Sequence, residues 1–477
     1  MNQDMKRILI LCLPLMCAAA PQPALDGIID LARSVPGEFA ADAMIRMAGL
    51  QSFGKERKVA LLEEAFWRAT EAEEAYPRQS ALASTTEPSR FLNRAYAQGL
   101  DRMSLQLRAV EAVLPLDARK AREMFREMPP INFPRVACSD FLVYGAGGFY
   151  ETLGRIAEEA FSPEERAREE VSKFLAGYIA PIASSLQVAP AARMLARANL
   201  KNAEFQALVT EFAGVLSRIS GDDRSFTFSA SRSGAAILAL ADACRRRQMP
   251  PTVLVEAYRA YLVQNLSGSR CGDDRLFEQP APAGDPVVFF NQEVRDASVQ
   301  AIRDDEVTPS QAEGDVRDLR WCQDAECQAI DRQYRALLLK PDGSLYQASE
   351  RDAEWQAKLR DFLGSLAEWH ESSGISAGRQ FREKNGIFSN LLSFVPGGPI
   401  EAMVIRAELD FLSESRFEAS TRVEWFFPVN QLITRLGSRP QVQVLDELKR
   451  ANDPVIALYQ ALETIAPRPG EDTTPLL

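Results

Sequence analysis

The sequence predicts an all-α protein, an irregular α-solenoid-like stack of antiparallel helical hairpins. Three observations carry the prediction. Apolar residues return three and four positions apart along most of the chain, prolines and short polar runs interrupt that rhythm repeatedly, and strand signals are confined to Phe226-Thr227-Phe228 and Val287-Val288-Phe289-Phe290. A short amphipathic helix buries one face within its own hairpin and a second only on a neighbouring pair, so a long succession of them implies stacking. Pro36, Pro115 and Pro190 each open an Ala/Arg-rich helix, but their spacing is too uneven for a strict repeat.

Met1 to Ala20 stands apart from this pattern. Lys6 and Arg7 precede the apolar run Ile8 to Met16, too short to span a bilayer as a helix, and Ala18, Ala19 and Ala20 follow. This is the layout of a secretory signal peptide, with cleavage expected after Cys17-Ala18-Ala19. Acylation of Cys17, leaving a lipid-anchored protein, is the alternative route. No later stretch is apolar and long enough for a transmembrane helix, so a soluble exported chain is expected.

The helices follow in order. Leu25 to Val35 and Phe39 to Leu50 make a hairpin around Pro36-Gly37, and Lys55 to Tyr76 carries Val59, Leu62, Phe66 and Ala69 on one stripe. After Phe91 to Leu100 comes the clearest hairpin, Met103 to Pro129. Met103, Leu107, Val110 and Leu114 form its first stripe, Pro115 interrupts, and Ala118, Ala121, Phe125 and Met128 form the second, with Asp117 placed to cap it. Asp140 to Phe161 reads as helix broken by glycines. Ser162-Pro163-Glu164-Glu165 is a start signal, with a capping serine, a first-turn proline and a glutamate three residues on. A helix is expected to run from this signal to Pro181, with Ala167, Val171, Phe174 and Tyr178 on its buried stripe, and further helices at Ala191 to Ala198, Phe205 to Ile219, Gly234 to Arg247 and Thr252 to Leu266. Thr308-Pro309-Ser310-Gln311 opens another, reaching to Leu339, and Trp355, Leu359, Phe362, Leu366 and Trp369 mark the stripe of the next. Ala377 to Phe394, Ile400 to Ser413, Arg416 to Leu436 and Gln441 to Ile465, kinked at Pro454, complete the series.

The composition divides this series. Residues 1–20 are the leader, 21–266 an N-terminal helical domain, 267–286 a Gly/Pro/Ser/Asp-rich loop or linker, 287–465 a C-terminal helical domain and 466–477 a loose tail. A net charge of −11 opposes general binding to nucleic acid or to an anionic membrane face. The run Arg245-Arg246-Arg247 sits at a helix end, where the dipole favours cations. Beyond the leader the cysteines are Cys138, Cys244, Cys271, Cys322 and Cys327, an odd number, so at least one is unpaired within the chain. Cys244 continues an apolar stripe and reads as a small buried hydrophobe. The candidate disulfide joins Cys271 to Cys322 or Cys327. Cys322 is preferred, because Cys327 shares a helix face with Ile330, Tyr334 and Leu337.

The single histidine, His370, removes multi-histidine zinc sites and leaves at most one histidine-based triad; at a helix end it reads as a capping or packing residue. Its neighbourhood, His370-Glu371-Ser372-Ser373-Gly374, resembles the catalytic glutamate segment of lytic transglycosylases. The resemblance covers five residues and implies an acid role for Glu371; the Gly-Leu-Met-Gln segment of those enzymes is replaced here by Ile375-Ser376-Ala377-Gly378. Ser52-Phe53-Gly54-Lys55 fits Ser-x-x-Lys without its Lys-Thr-Gly or Ser-Asp-Asn partners, and Gly145-Ala146-Gly147-Gly148-Phe149-Tyr150 has Tyr150 where a dinucleotide loop needs glycine. Gly-Asp-Asp-Arg occurs twice, placing Asp222, Asp223, Asp273 and Asp274 after helix ends. Glycine stops and aspartate caps account for both copies, while a shared acidic site for a divalent cation or a sugar is the sharper alternative.

The reading that follows is an exported helical scaffold or protein-interaction module of the cell envelope, periplasmic or extracellular, with a protein or envelope component as partner and no cofactor. The alternative is a helical carboxylate-dependent enzyme acting on envelope glycans, with Glu371 or the paired aspartates as acids.

Overall fold

The structure, a computed structural model, describes residues 22–74, 78–79, 91, 94–133, 140–141, 146–220, 225–267, 269–270, 285–307, 310–311, 325–347, 351–370, 377–395, 398–415, 422–437 and 453–465. The protein is all-α. Beside the helices, the described residues pair only in an isolated Leu339–Leu345 bridge and two ladders of two residues, Arg78–Gln79 antiparallel to Asp140–Phe141 and Ser269–Arg270 parallel to Ser310–Gln311.

In the N-terminal half the helices are α1 (Gln22–Arg33), α2 (Gly37–Ala48), α3 (Lys55–Arg68), α4 (Arg102–Val113), α5 (Ala118–Arg126), α6 (Gly147–Glu159), α7 (Pro163–Ala167), α8 (Glu170–Ile179), α9 (Ser185–Arg197), α10 (Asn202–Leu216), α11 (Ser225–Arg246) and α12 (Thr252–Leu266). The hairpin expected from Met103 to Pro129 is α4 and α5. Val110, Ala121 and Phe125 are fully buried, and the Asp117 carboxylate accepts from the Lys120 amide at 2.9 Å. Ser162 and Glu165 cap α7 reciprocally, as their spacing requires. Glu165 also accepts from Arg122 of α5 at 2.8 Å, and that guanidinium holds its carboxyl down at about 2, so one cap also ties two helices together. Between α8 and α12 the helices pack mainly on their next-but-one neighbours, α8 on α10, α9 on α11 and α10 on α12.

The two stretches with strand signals are helical. Phe226-Thr227-Phe228 lies in the first turn of α11, and Val287 to Phe290 begins α13 (Pro286–Phe289), which runs into a wider turn at Phe290–Val294. Asp285 explains the second case: its carboxylate accepts from the Val287 and Val288 amides at 2.8 and 3.1 Å, and Pro286 supplies the first-turn φ, so capping overrides β-propensity. Segment 285–307 packs back on the preceding pair, with Phe289 over Gly234 of α11 and Arg259 of α12 ion-paired to Glu306 at 2.7 Å. The helix expected from Thr308 is described only from Ala325, while Ser310–Gln311 is in a ladder.

The C-terminal half comprises α14 (Ala325–Leu338), α15 (Ala353–Glu368), α16 (Ala377–Phe394), α17 (Pro399–Glu414), α18 (Arg422–Gly437) and α19 (Pro454–Ile465). Its last members return to the beginning of the chain. Glu38, Phe39, Asp42 and Arg46 form one stripe of α2; Glu38 accepts from Arg422, Asp42 from the Tyr459 hydroxyl at 2.8 Å, and Arg46 pairs with Glu463 at 2.7 Å. Phe39 packs on Phe426 with centroids 4.8 Å apart, and Phe426 on Tyr459 at 4.4 Å. An open solenoid leaves its two ends apart, whereas here α2 and α19 share one interface. Among the described residues no helix is long and apolar enough to cross a membrane.

Candidate functional site

The C-terminal half has a polar interior. Gln380, Glu383, Lys384, Asn385, Glu401, Glu408 and Glu424 are all buried there, on helices whose apolar stripes would lead one to expect an aliphatic core. Most of this charge is structural: Arg379 pairs with Glu383 at 2.9 Å, Arg382 with Glu424 at 3.1 Å, and Arg435 donates to Glu401 at 2.8 Å and to the Leu392 carbonyl at 2.7 Å. Glu408 differs. It is enclosed, its Oε2 has no hydrogen-bond partner, and burial pushes its carboxyl up to about 8 despite the opposing field of Arg435.

Beside this interior, α15, α16 and α17 enclose a cleft of about 710 Å³. The sequence builds it from two faces of α17. Glu401, Val404, Ile405, Glu408 and Leu412 turn into the core, and Met403, Arg406, Ala407 and Asp410 recur at helical spacing along the cleft. Leu363, Phe388 and Phe411 supply apolar lining, Arg360, Lys384 and Arg406 bring positive charge to it, and Asp410 and Glu414 bring negative charge.

Lys384 organises the inner end. Its side chain is buried, its Nζ donates to the Ala367 carbonyl in the last turn of α15 at 3.5 Å, and it stands 5.4 Å from the ring centre of Phe411. Gln380 donates to the Trp369 carbonyl at 2.9 Å. The end of α15 is therefore met by two side chains of α16, which leaves His370 exposed on the cleft wall. The capping or packing role expected of His370 belongs to Lys384, Gln380 and the buried Trp369.

Of the residues singled out from sequence, Asp222, Asp223, Asp273, Asp274, Glu371, Cys271, Cys322 and Cys17 lie outside the described residues, as do the leader and the tail. Cys327 is buried and disulfide-bonded, so its place on an apolar helix face is compatible with a bridge. Cys244 is a free, buried thiol that burial pushes up, in keeping with a small apolar role. In the arginine run, Arg247 donates to the carbonyls of Ala198 and Leu200 at 2.9 and 2.7 Å and Arg245 pairs with Asp242 at 2.6 Å. Among the described residues no cluster of three His, Cys, Asp or Glu side chains could hold a metal ion.

Sequence reasoning missed the cleft because Lys384 looks like an ordinary surface lysine. The available signal was the crowding of Gln380, Glu383, Lys384 and Asn385 among Phe381, Ile387 and Phe388. No protein-family model matches the chain, and no significant match is found among curated proteins or solved structures.

Proposed function

We propose that the protein is an exported helical scaffold or protein-interaction module of the cell envelope, and that it engages its partner in the cleft between α15, α16 and α17. The observation that carries this reading is the cleft itself, about 710 Å³ with apolar lining and cationic groups from all three helices. Such a surface suits a partner segment that offers an apolar anchor flanked by an acidic residue, the anchor resting on Phe388, Met403 and Phe411 and the acid meeting Arg360. The leader-like pattern of residues 1–20 and the disulfide at Cys327 support an oxidising, extracytoplasmic setting.

Crosslinking pull-down from envelope fractions tests the reading. Wild-type protein should recover a discrete partner that Met403→Glu loses while its melting temperature stays close to wild type, since Met403 is only partly buried. The proposal fails if no partner is recovered and purified peptidoglycan is instead degraded to soluble fragments, an activity that would disappear in Glu371→Gln.

A further inference from the structure

A second groove, about 320 Å³ in volume, lies between α6, α8 and α9, far along the chain from the cleft and independent of its reading. Val171, Leu175 and Met194 contribute apolar wall, and three arginines line it: Arg155 from α6 and Arg193 and Arg197, one turn apart, from α9. Gly154 brings these helices together, since a Cβ there would come within 3.2 Å of Met194 Cγ.

Several arginines of this protein are put to structural use. Arg122 pairs with Glu165, Arg247 closes on two carbonyls, and Arg259 takes both oxygens of Glu306. Arg193 is half-buried and has no hydrogen bond, ion pair or ring contact within the chain, and Arg197 has none either. Two like charges a turn apart on a helix cost a little stability. Glu151 and Glu158 line the same groove, yet neither carboxylate neutralises Arg193 or Arg197. Positive charge is thus held open in a chain whose net charge is −11.

We propose that this groove binds the phosphate monoester of a sugar. Guanidinium forks match the geometry of phosphate oxygens and take them bidentately, so Arg193 and Arg197 hold the phosphate. Glu151, Glu158 and Asn199 are the hydrogen-bonding groups that a polyhydroxylated body requires, and the volume admits one of hexose size.

Calorimetric titration of the intact protein tests this with three probes, glucose 6-phosphate, glucose and inorganic phosphate. Glucose 6-phosphate should bind saturably at one site per chain and bind about tenfold or more weakly to Arg193→Gln. That variant should melt with the wild type, because Arg193 makes no internal bond. Glucose should bind far more weakly. Absence of saturable binding, or unchanged affinity in both Arg193→Gln and Arg197→Gln, overturns the site. Equal affinity for inorganic phosphate and the ester overturns the sugar class.

Discussion

Asp42 is the residue through which the two ends of the fold can be parted. Its side chain is fully enclosed and accepts from Arg108 Nη2 at 2.7 Å and from the Tyr459 hydroxyl at 2.8 Å. Replacing it with alanine removes both acceptors. Water can reach Arg108, whose side chain is one-third exposed, but not the buried Tyr459 hydroxyl, so the cost is dominated by that stranded donor. Hydrogen bonds to charged groups contribute about 1.5–3 kcal/mol each, and with Arg108 rescued by solvent the loss in Asp42→Ala should be about 3 kcal/mol. Asp42→Asn keeps an oxygen for Tyr459 and should lose about half of that. Urea denaturation followed by far-UV circular dichroism measures each variant. In the double variant Asp42→Ala/Tyr459→Phe the two losses should overlap by about 1 kcal/mol, because both remove the same bond. An Asp42→Ala protein within about 0.5 kcal/mol of wild type, or strictly additive losses, would refute the argument.

Two further outcomes follow from the packing. Glu408 binds its proton more tightly folded than unfolded, its carboxyl standing at about 8 against an ordinary 4.5, so the folded state gains protons relative to the unfolded one between those values. Stability from this group is therefore present below about pH 4.5 and lost as pH rises towards 8; Glu408→Leu should flatten that part of the profile in urea midpoints, and an unchanged slope would count against it. Gly234→Ala would bring a Cβ within 2.6 Å of Phe289 Cδ1 and should lower stability by about 1 kcal/mol net of the better helix propensity of alanine. Gly214→Ala, on α10 with nothing near it, should do the opposite, and melts of the pair in which both shift the same way would remove the explanation.

The parts legible in the sequence are those decided within a few residues. The stripes of Met103 to Pro129, the caps at Asp117 and Ser162 and the buried thiol of Cys244 depend on local spacing, and the fold keeps them. Phe226 to Phe228 and Val287 to Phe290 misled because β-propensity is a weak prior that a cap or a packed face can override. Pairing between Ser269–Arg270 and Ser310–Gln311 breaks what capping logic alone reads as a long helix from Thr308. The union of α2 with α18 and α19 shows locally only in α2, whose residues from Gly37 to Met44 and at Met47 and Ala48 are all buried, an apolar helix with almost no solvated face. Glu38 and Asp42 are the exceptions, two acids on a stripe with Phe39 that find their partners nearly the whole chain away. The arginines of α9 were invisible for a similar reason: nothing in their sequence distinguishes a solvated guanidinium from one facing a groove.

The meeting of α2 with Arg422 and Tyr459 also sets an order of events. Its two bonds join residues 384 and 417 positions apart, so during synthesis the face of α2 carrying Phe39, Glu38 and Asp42 emerges long before Arg422 and Tyr459, with Arg108 near enough in sequence to reach Asp42 early. Loop closure grows costlier only with the logarithm of length, and the final docking is therefore delayed far more than it is weakened. In that interval an apolar face holding two carboxylates waits without its native cover, open to competing contacts with neighbouring chains. The acids make that wait safer, because an uncovered carboxylate stays hydrated and resists burial in an apolar aggregate. α18 and α19 then arrive as a latch on the waiting face of α2.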